Sequence, residues 1–448
     1  MIEANTLTSG KRLVAVLASA ILLLAGFAHG QESLSMDQLV AQVLASNNRA
    51  EAARFMEQSA KESVGAAGRW PDPMLMLGIQ NSPKDFDFEK DAMTMRVVGL
   101  SQDIPYSGFL GLQRKAAGAA ARESALDRQV TERDLAYAAR LAYIDLYFKQ
   151  QLLAELLQQK SLLEQIAKSV ESQIQTNQAN REQLLASQGD IWRLESSILS
   201  LQQEIDASTL RLNSLRGLSG NSAVGTLAAP GSNISSDSID TWFAMAKANY
   251  PPLAKLQSRV EKYQFEEKAA NRMTFPMLNL RAEYGIRTGR EIGLHGDPGE
   301  EREDMVSFAA TISLLIFSRG GQRAMARSMR AMSLSQSHEA EQLWSDIESA
   351  LRSLHLRSRR LAESVALYDS KIVPNSSDIY ESALSNYAAS KTTLSDLLGY
   401  QMALIQDQST LIQLRAEQAR AAMEVLQYIE APFGETSPTV ANNQGQNP

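Results

Sequence analysis

The side chains that could do chemistry are few, and they are scattered. The chain has only four histidines and no cysteine. Beyond the N-terminal region the histidines stand at His295, His338 and His355. His338 and His355 are too far apart to form a ligand pair at helical spacing. His295 falls in a long acidic stretch, Arg287 to Asp304, among Asp297, Glu300, Glu301, Glu303 and Asp304. Met74, Met76, Met93 and Met95 cluster near one hairpin, and thioethers suit soft Cu(I). Packing on a barrel or core face is the simpler account of all four, so the expectation is no resident metal and no cofactor. There is no nucleophile–base pair, no phosphate-cradling glycine loop and no zinc motif. Gly320-Gly321 follows a strand pattern but lacks the lysine of a phosphate loop, and reads as a strand-to-helix bend. Nothing here builds an enzyme.

The elements that carry these residues come in two copies. Trp70-Pro71-Asp72-Pro73-Met74-Leu75-Met76-Leu77 returns as Thr274-Phe275-Pro276-Met277-Leu278-Asn279-Leu280. Ile104-Pro105-Tyr106-Ser107 returns as Leu315-Ile316-Phe317-Ser318, and Leu184-Leu185-Ala186-Ser187-Gln188 as Leu397-Leu398-Gly399-Tyr400-Gln401. The copies lie roughly 200 residues apart, far beyond the 20–50 residues of a solenoid repeat, so half of the protein is duplicated.

Each half reads as a helix, two short strands and two long helices. The first repeat covers 31–216. Ser35-Met36-Asp37-Gln38 fits a capping box, and helical pattern runs to about Gly68, where Pro71 and Pro73 stop it. The first hairpin is 74–103, strands 74–81 and 92–103 flanking a turn at Asn81 to Asp85. Helices follow at about 110–175 and 180–216, the first on the order of 100 Å long at 1.5 Å per residue. Leu184, Ile191, Ile198, Ile205 and Leu212 recur every seven residues, and Leu156, Leu163 and Val170 repeat the spacing. That heptad implies a supercoiled antiparallel hairpin with its tip near Thr176 to Arg181. A Gly/Ser/Asn-rich link, 217–237, leads to the second repeat, 238–430. Its helix over 239–273 is interruptible at Pro251-Pro252, its hairpin is 276–315, and its long helices cover 320–386 and 391–429. The tail, 431–448, is rich in Asn, Gln and Pro and reads as disordered.

Residues 1–30 read as a secretory signal: Lys11-Arg12, then roughly 15 uncharged residues from Leu13 to Phe27, with cleavage before Gln31. The net charge is −7 and no basic stripe is present, which argues against nucleic acid. Only 6% of residues are aromatic, and the Ala/Leu/Gln/Glu bias favours long helices.

In the second hairpin Leu278, Leu280, Ala282, Tyr284 and Ile286 alternate with Asn279, Arg281 and Glu283. This period of two suits a half-buried soluble sheet, and equally a transmembrane β-barrel with apolar side chains toward lipid. The first hairpin is less clean, since Arg96 sits among apolar neighbours. Four strands cannot close a barrel, and open edges in lipid would leave backbone groups unpaired. Two chains would supply about eight strands and three about twelve; the small residues on the polar faces suggest a wide, wet interior and favour three.

This order of parts resembles the TolC family of outer-membrane efflux channels, from Leu34 to about Glu430. Asn386-Tyr387-Ala388-Ala389-Ser390-Lys391-Thr392-Thr393-Leu394-Ser395-Asp396-Leu397-Leu398-Gly399-Tyr400-Gln401 is similar to that family's second tip turn. Trp70-Pro71-Asp72-Pro73, with Val98 to Gly108, is similar to the branch that serves heavy-metal efflux pumps. The resemblance implies a mainly α fold with a small β part: a long α-helical coiled-coil barrel joined to a transmembrane β-barrel shared between protomers. It also implies a homotrimer in the outer membrane of a Gram-negative bacterium, its helical tunnel in the periplasm, meeting a periplasmic adaptor (membrane fusion) protein and an inner-membrane RND-type pump. Asp396 matches the family's pore-constricting carboxylates and is the gate candidate at the periplasmic tip. Three copies would repel and could bind a cation that holds the pore shut; an Asp near a helix start also simply complements the dipole. Ser390 stands where the family usually has Gly, Asn177 at the matching place in the first half, and Gly399 at a tip position that is acidic in the family's best-known member. The competing expectations are the same duct serving drug efflux or type I secretion, and a soluble periplasmic coiled-coil scaffold.

Overall fold

The computed structural model describes residues 33–87, 91–175, 180–220, 222–231, 238–289, 299, 301–389 and 391–433. The expected signal segment, the first helical tip at 176–179, Ser390, His295 with most of its acidic loop, and the tail beyond 433 lie outside them.

The duplicated order is plain. The first half runs α1 (Met36–Ser46), α2 (Asn48–Ala66), β1 (Met74–Gln80), β2 (Met95–Ile104), α3 (Phe109–Gln175) and α4 (Arg181–Leu215). The second runs α5 (Ile239–Asn249), α6 (Pro251–Arg272), β3 (Leu278–Arg287), β4 (Met305–Ile312), α7 (Arg319–Leu367), a π turn (Tyr368–Ile372), α8 (Val373–Ala388) and α9 (Leu394–Ile429).

Two long helices expected from the sequence are broken, each by local chemistry. The first ends at Asn47 and restarts. Asn47 adopts an extended conformation, donates its side-chain amide to Leu215 O at 2.9 Å and accepts from Arg49 N at 2.9 Å. Asparagine readily satisfies the backbone outside a helix, which makes it a natural break. The long helix of the second half is interrupted by the π turn just before Pro374. Proline has no N–H for the i→i−4 ladder and its ring crowds the preceding turn; one wider turn absorbs both defects. At Tyr250 the chain breaks as the sequence suggests, and Pro251 and Pro252 open α6 where no N–H partner is needed. Ser35 and Gln38 form the reciprocal cap, with Ser35 N to Gln38 Oε1 at 2.9 Å and Gln38 N to Ser35 Oγ at 3.2 Å.

The four strands make one antiparallel sheet in the order β1-β2-β3-β4. The two hairpins are thus joined edge to edge through β2 and β3, from Met95↔Arg287 to Ile104↔Leu278. Gly68 makes the entry to β1 possible. Its φ is +71°, and a Cβ there would lie 2.4 Å from Leu110 O, so only glycine fits.

Contacts divide the chain into two compact units, each drawn from both halves. The unit built from Met1–Ala50, Glu132–Ala244 and Ala350–Glu430 holds the heptad core. Leu156, Leu163 and Val170 of α3 are buried with Leu194, Ile198 and Leu201 of α4 and with Tyr380, Leu394, Leu397 and Leu404 of the second helical hairpin. Leu184, Ile191 and Ile205 pack against that cluster, half-buried. Polar groups lock the other end of this unit. Arg140, 9% exposed, makes a two-pronged ion pair with Glu430, both contacts at 2.6 Å. Buried Arg133 donates to Gln427 O at 2.8 Å. The hydroxyl of fully buried Tyr143 lies 2.7 Å from Leu34 O and 2.6 Å from Ala228 O, where the chain makes a parallel bridge, Leu34↔Leu227.

The other unit, Glu51–Thr131 with Met245–Ser349, holds the sheet and the helix segments that enter and leave it. Three ion pairs join α3 to α6: Arg122–Glu261, Glu123–Arg259 and Asp127–Lys255. Arg128 of α3 reaches back to Glu57 of α2 at 2.5 Å.

Arg133 also donates to the Glu430 carbonyl, so truncating Arg140 would leave the Glu430 carboxylate without its fork and loosen an acceptor of Arg133. Arg140→Ala is expected to cost about 3 kcal/mol in chemical denaturation followed by helical circular dichroism. A second network gives a pH dependence. Burial raises the Asp145 pKa, but hydrogen bonds and charge from Lys149 (3.0 Å) and Arg420 (2.5 Å) outweigh it and hold the carboxyl below its ordinary value. A depressed folded pKa contributes stability above the unfolded value near 3.9, lost as pH falls through the folded one. Asp145→Asn should therefore lower stability at pH 7 and flatten its decline below about pH 4.

Candidate functional site

Two places carry the functional side chains: the tip of the helical hairpins and the faces of the sheet. At the tip, α9 opens on Thr393, whose backbone is extended at φ −79° and ψ 156°. Its Oγ1 accepts from Asp396 N at 3.2 Å and its hydroxyl donates to Asp396 Oδ2 at 2.6 Å. The Asp396 carboxylate is therefore exposed and sits in the first turn, where the helix dipole favours an anion. The first half builds the matching cap from neutral groups. Asn180 N donates to Gln183 Oε1 at 3.0 Å, and Gln183 N to Asn180 Oδ1 at 2.9 Å. The paired stretches Leu184-Leu185 and Leu397-Leu398 place Gln183 opposite Asp396 in the duplication. The two caps share one geometry, and only the second puts a charge at its third position.

The tips of the two hairpins are tied together. Tyr387, in the last turn of α8, donates its hydroxyl to Gln173 Oε1 of α3 at 3.0 Å. A shallow groove runs between the first turns of α4 and α9, lined by Glu182, Asp190, Ser395 and Met402. Gly399 borders it with open space where its Cβ would stand, so sterics do not require glycine there. About two turns inside the tip is Gln401, fully buried between Leu397, Leu398, Leu404 and Ile405 in sequence. Neither of its amide atoms has a hydrogen-bond partner among the described residues. No local signal marks this residue: a glutamine at a heptad seam looks like any other surface residue until the neighbouring helices are in place.

In the sheet, register sorts the side chains onto two faces. Leu75, Leu100, Ala282 and Phe308 lie in one row across the strands; Leu77, Val98, Tyr284 and Val306 lie in the next. This apolar face is exposed throughout, Phe308 to 83%. Arg96, the residue that spoiled the alternation, sits on it near the loop end, opposite Ile79 and Ile286. The other face is polar. Gln80 donates to Glu283 at 3.1 Å, Arg281 pairs with Glu283 at 3.4 Å, and Asn279 donates to Asp103 at 2.8 Å. Met95, Val97, Gly99 and Ser101 of β2 are buried on this face, as is Gly285 of β3.

The methionines follow the same register. Met74 and Met76 stand on the polar face of β1, opposite Ser101 and Gly99. Met95 packs over Gly285, while the sulfurs of Met93 and Met305 lie against the Arg287 guanidinium, that of Met93 at 3.9 Å. A cation between the thioethers would meet that guanidinium, which suits packing better than soft-metal binding. His338 pairs with Glu341 at 3.2 Å on an exposed helix face, and His355 lies edge-on to Trp242 with ring centroids 5.3 Å apart. Among the described residues no group of three or more His, Cys, Asp or Glu comes together as a metal site.

No protein-family model and no curated protein matches the chain. Solved structures do. The outer-membrane channel OprN superposes with a TM-score of 0.71 at 16% identity, covering 88% of this chain and 89% of that one. The outer membrane protein VceC from Vibrio cholerae gives 0.72 at 14%, covering 89% and 96%. CusC, described as forming a transmembrane channel, gives 0.71 at 15%, covering 88% and 92%. At these identities the likeness establishes the fold: a mainly α chain with a small β part, duplicated, as in solved outer-membrane channels.

The orphaned amide makes a simple test of the tip's packing. Gln401→Leu replaces an unpaired buried polar group by an apolar one of similar size and is expected to stabilise the protein by about 1–3 kcal/mol. A thermal melt of the purified protein that shifts downward would contradict it.

Proposed function

We propose that the protein is a passive exit duct of the outer membrane: three copies close a barrel of about twelve strands, and the helices continue as a tunnel into the periplasm. The observation that carries this reading is the sheet. Among the described residues it has an exposed, mainly apolar face, a hydrogen-bonded polar face and two edge strands, β1 and β4. A soluble protein rarely leaves so large an apolar patch bare, and a membrane-spanning sheet must close. Exposed aromatics Trp70, Phe275 and Phe317 lie at the helix-side ends of the strands, as in the girdles that flank a barrel's apolar band. Arg96, near the opposite end, has a stem long enough to reach a headgroup layer. Among the described residues no helix is long and apolar enough to cross a membrane.

The resemblance to the TolC family supplies the rest of the proposal. The duct works in a tripartite efflux system with a periplasmic adaptor and an RND-type pump, which supply selection and energy. The cargo is heavy-metal cations; this rests on Trp70-Pro71-Asp72-Pro73 and the Val98 to Gly108 motif, because the fold likeness extends to several channels alike. Asp396 is proposed as the gate. Exposed in the first turn of a tip helix, three copies would face a narrow opening together, and Thr393 already holds each carboxylate in place.

The test of the duct is extraction. The protein should fractionate with outer membranes, purify in detergent as a trimer and conduct ions in planar bilayers; a monomer soluble without detergent would refute it. A deletion strain should become sensitive to zinc or copper, whereas sensitivity to drugs alone would reassign the cargo. For the gate, Asp396→Ala should raise single-channel conductance and weaken block by divalent cations, and unchanged traces would leave Asp396 as a helix cap only.

A further inference from the structure

A row of arginines opens α7. Arg319, Arg323, Arg327 and Arg330 stand four, four and three residues apart, so they share one helix face, within an arc of about 80°. All four are exposed, and among the described residues none has an ion-pair or hydrogen-bond partner. Side chains at these spacings are neighbours, and like charges so placed destabilise a helix. Arg319 is placed worse still. It is the first residue of α7, at the positive end of the helix dipole, and the first turn holds no acid to offset it.

The backbone beneath the row is open as well. Gly320 and Gly321 follow Arg319 in the first turn. Neither has a positive φ, and a Cβ on either would meet nothing within 4 Å, so neither conformation nor sterics calls for glycine. Aligned on Ser318 and Ser107, the first half has Phe109 and Leu110 in their places. Glycine weakens a helix. What it supplies at a helix start is uncovered N–H groups ahead of the helical ladder, which suit an anion. The guanidinium row and the bare first turn ask for one ligand chemistry, the oxygens of a phosphate.

The position of the row points to the source of that phosphate. Leu314, Ile316 and Phe317 are all more than 70% exposed, and this apolar run ends two residues before Arg319. Side chains on an α-helix lean toward its N-terminus, so the arginines lean toward the end of the sheet. Basic residues directly beside a membrane-embedded segment attract anionic lipid. We infer that the first turns of α7 bind anionic phospholipid headgroups of the periplasmic leaflet, with Arg319 and Arg323 on the phosphates. This rests on the outer-membrane reading above. A headgroup layer is about 5–8 Å deep, and Arg323 stands about 6 Å below Arg319 along the axis. Arg327 and Arg330 stand about 12 and 16 Å below it, farther than the Debye length of about 8 Å. The contribution to lipid binding therefore falls down the row.

The test counts bound lipid on the detergent-solubilised full chain by native mass spectrometry. Anionic phosphatidylglycerol is compared with zwitterionic phosphatidylcholine, and inorganic phosphate is the competitor. The protein should favour phosphatidylglycerol roughly tenfold or more. Arg319→Gln with Arg323→Gln should abolish that preference with helical circular dichroism unchanged. Arg319→Lys with Arg323→Lys should retain it, and so should Arg327→Gln with Arg330→Gln. A conducting protein without the preference, or with one that survives Arg319→Gln with Arg323→Gln, would overturn the headgroup site and leave the duct standing. Displacement of the lipid by millimolar inorganic phosphate would reassign the row to a soluble anion and overturn the lipid. Loss of oligomeric mass in the Gln pair would assign the row to carboxylates of a second copy and overturn it too. Protein soluble without detergent would overturn both readings.

Discussion

Everything in this protein is arranged around two backbone edges. A four-stranded sheet has an unpaired row of N–H and C=O groups along β1 and another along β4. In water those rows are tolerable; beside hydrocarbon each unmet group costs several kcal/mol. The sheet's apolar face leaves Phe308, Leu75 and Val98 bare, and the proposed ring of copies is the arrangement that would cover both edges at once.

The helical unit solves a different problem with different means. Its hairpins have no edge to satisfy, since every helical hydrogen bond is internal, and they are held by a heptad seam instead. That seam is not uniform. The apolar layers of Leu163, Leu194 and Leu397 are interrupted by buried Gln401, and near the tip Tyr387 donates a hydrogen bond to Gln173. The other end of the unit is fastened by Arg140, Arg133 and Tyr143. The two ends of the unit are therefore held by different means, polar clamps at one and apolar packing with a Tyr387–Gln173 hydrogen bond at the other.

Most of the element order could be read directly from the residues, because its signals are local. Ser35 and Gln38, the proline pairs at 71/73 and 251/252 and the heptad from Leu184 to Leu212 each act within a turn or two of the chain. The breaks at Asn47 and at the π turn before Pro374 were missed for a related reason. Asn47 becomes a stop only through its bond to Leu215, far away in sequence, and Pro374 could be absorbed because one wider turn was available. At the tip, the motif around Asp396 marked the residue, but only the folded cap shows Thr393 holding its carboxylate and Gln183 standing in the equivalent place.

Which side chains share a face follows from the chain's local pattern, because period two in the strands and period seven in the helices are properties of a single segment. The duplication is legible there too, and with it the number of strands each chain can offer. Tertiary structure decided what the faces meet. It joined β2 to β3 and so turned two hairpins into one wall, brought Arg281, Gln80 and Glu283 together on its polar side, and set Arg96 on the apolar side near the loop end. It placed three ion pairs at the joint between α3 and α6. These outcomes depend on register between distant segments, which a one-residue slip would reverse, and no local pattern encodes it.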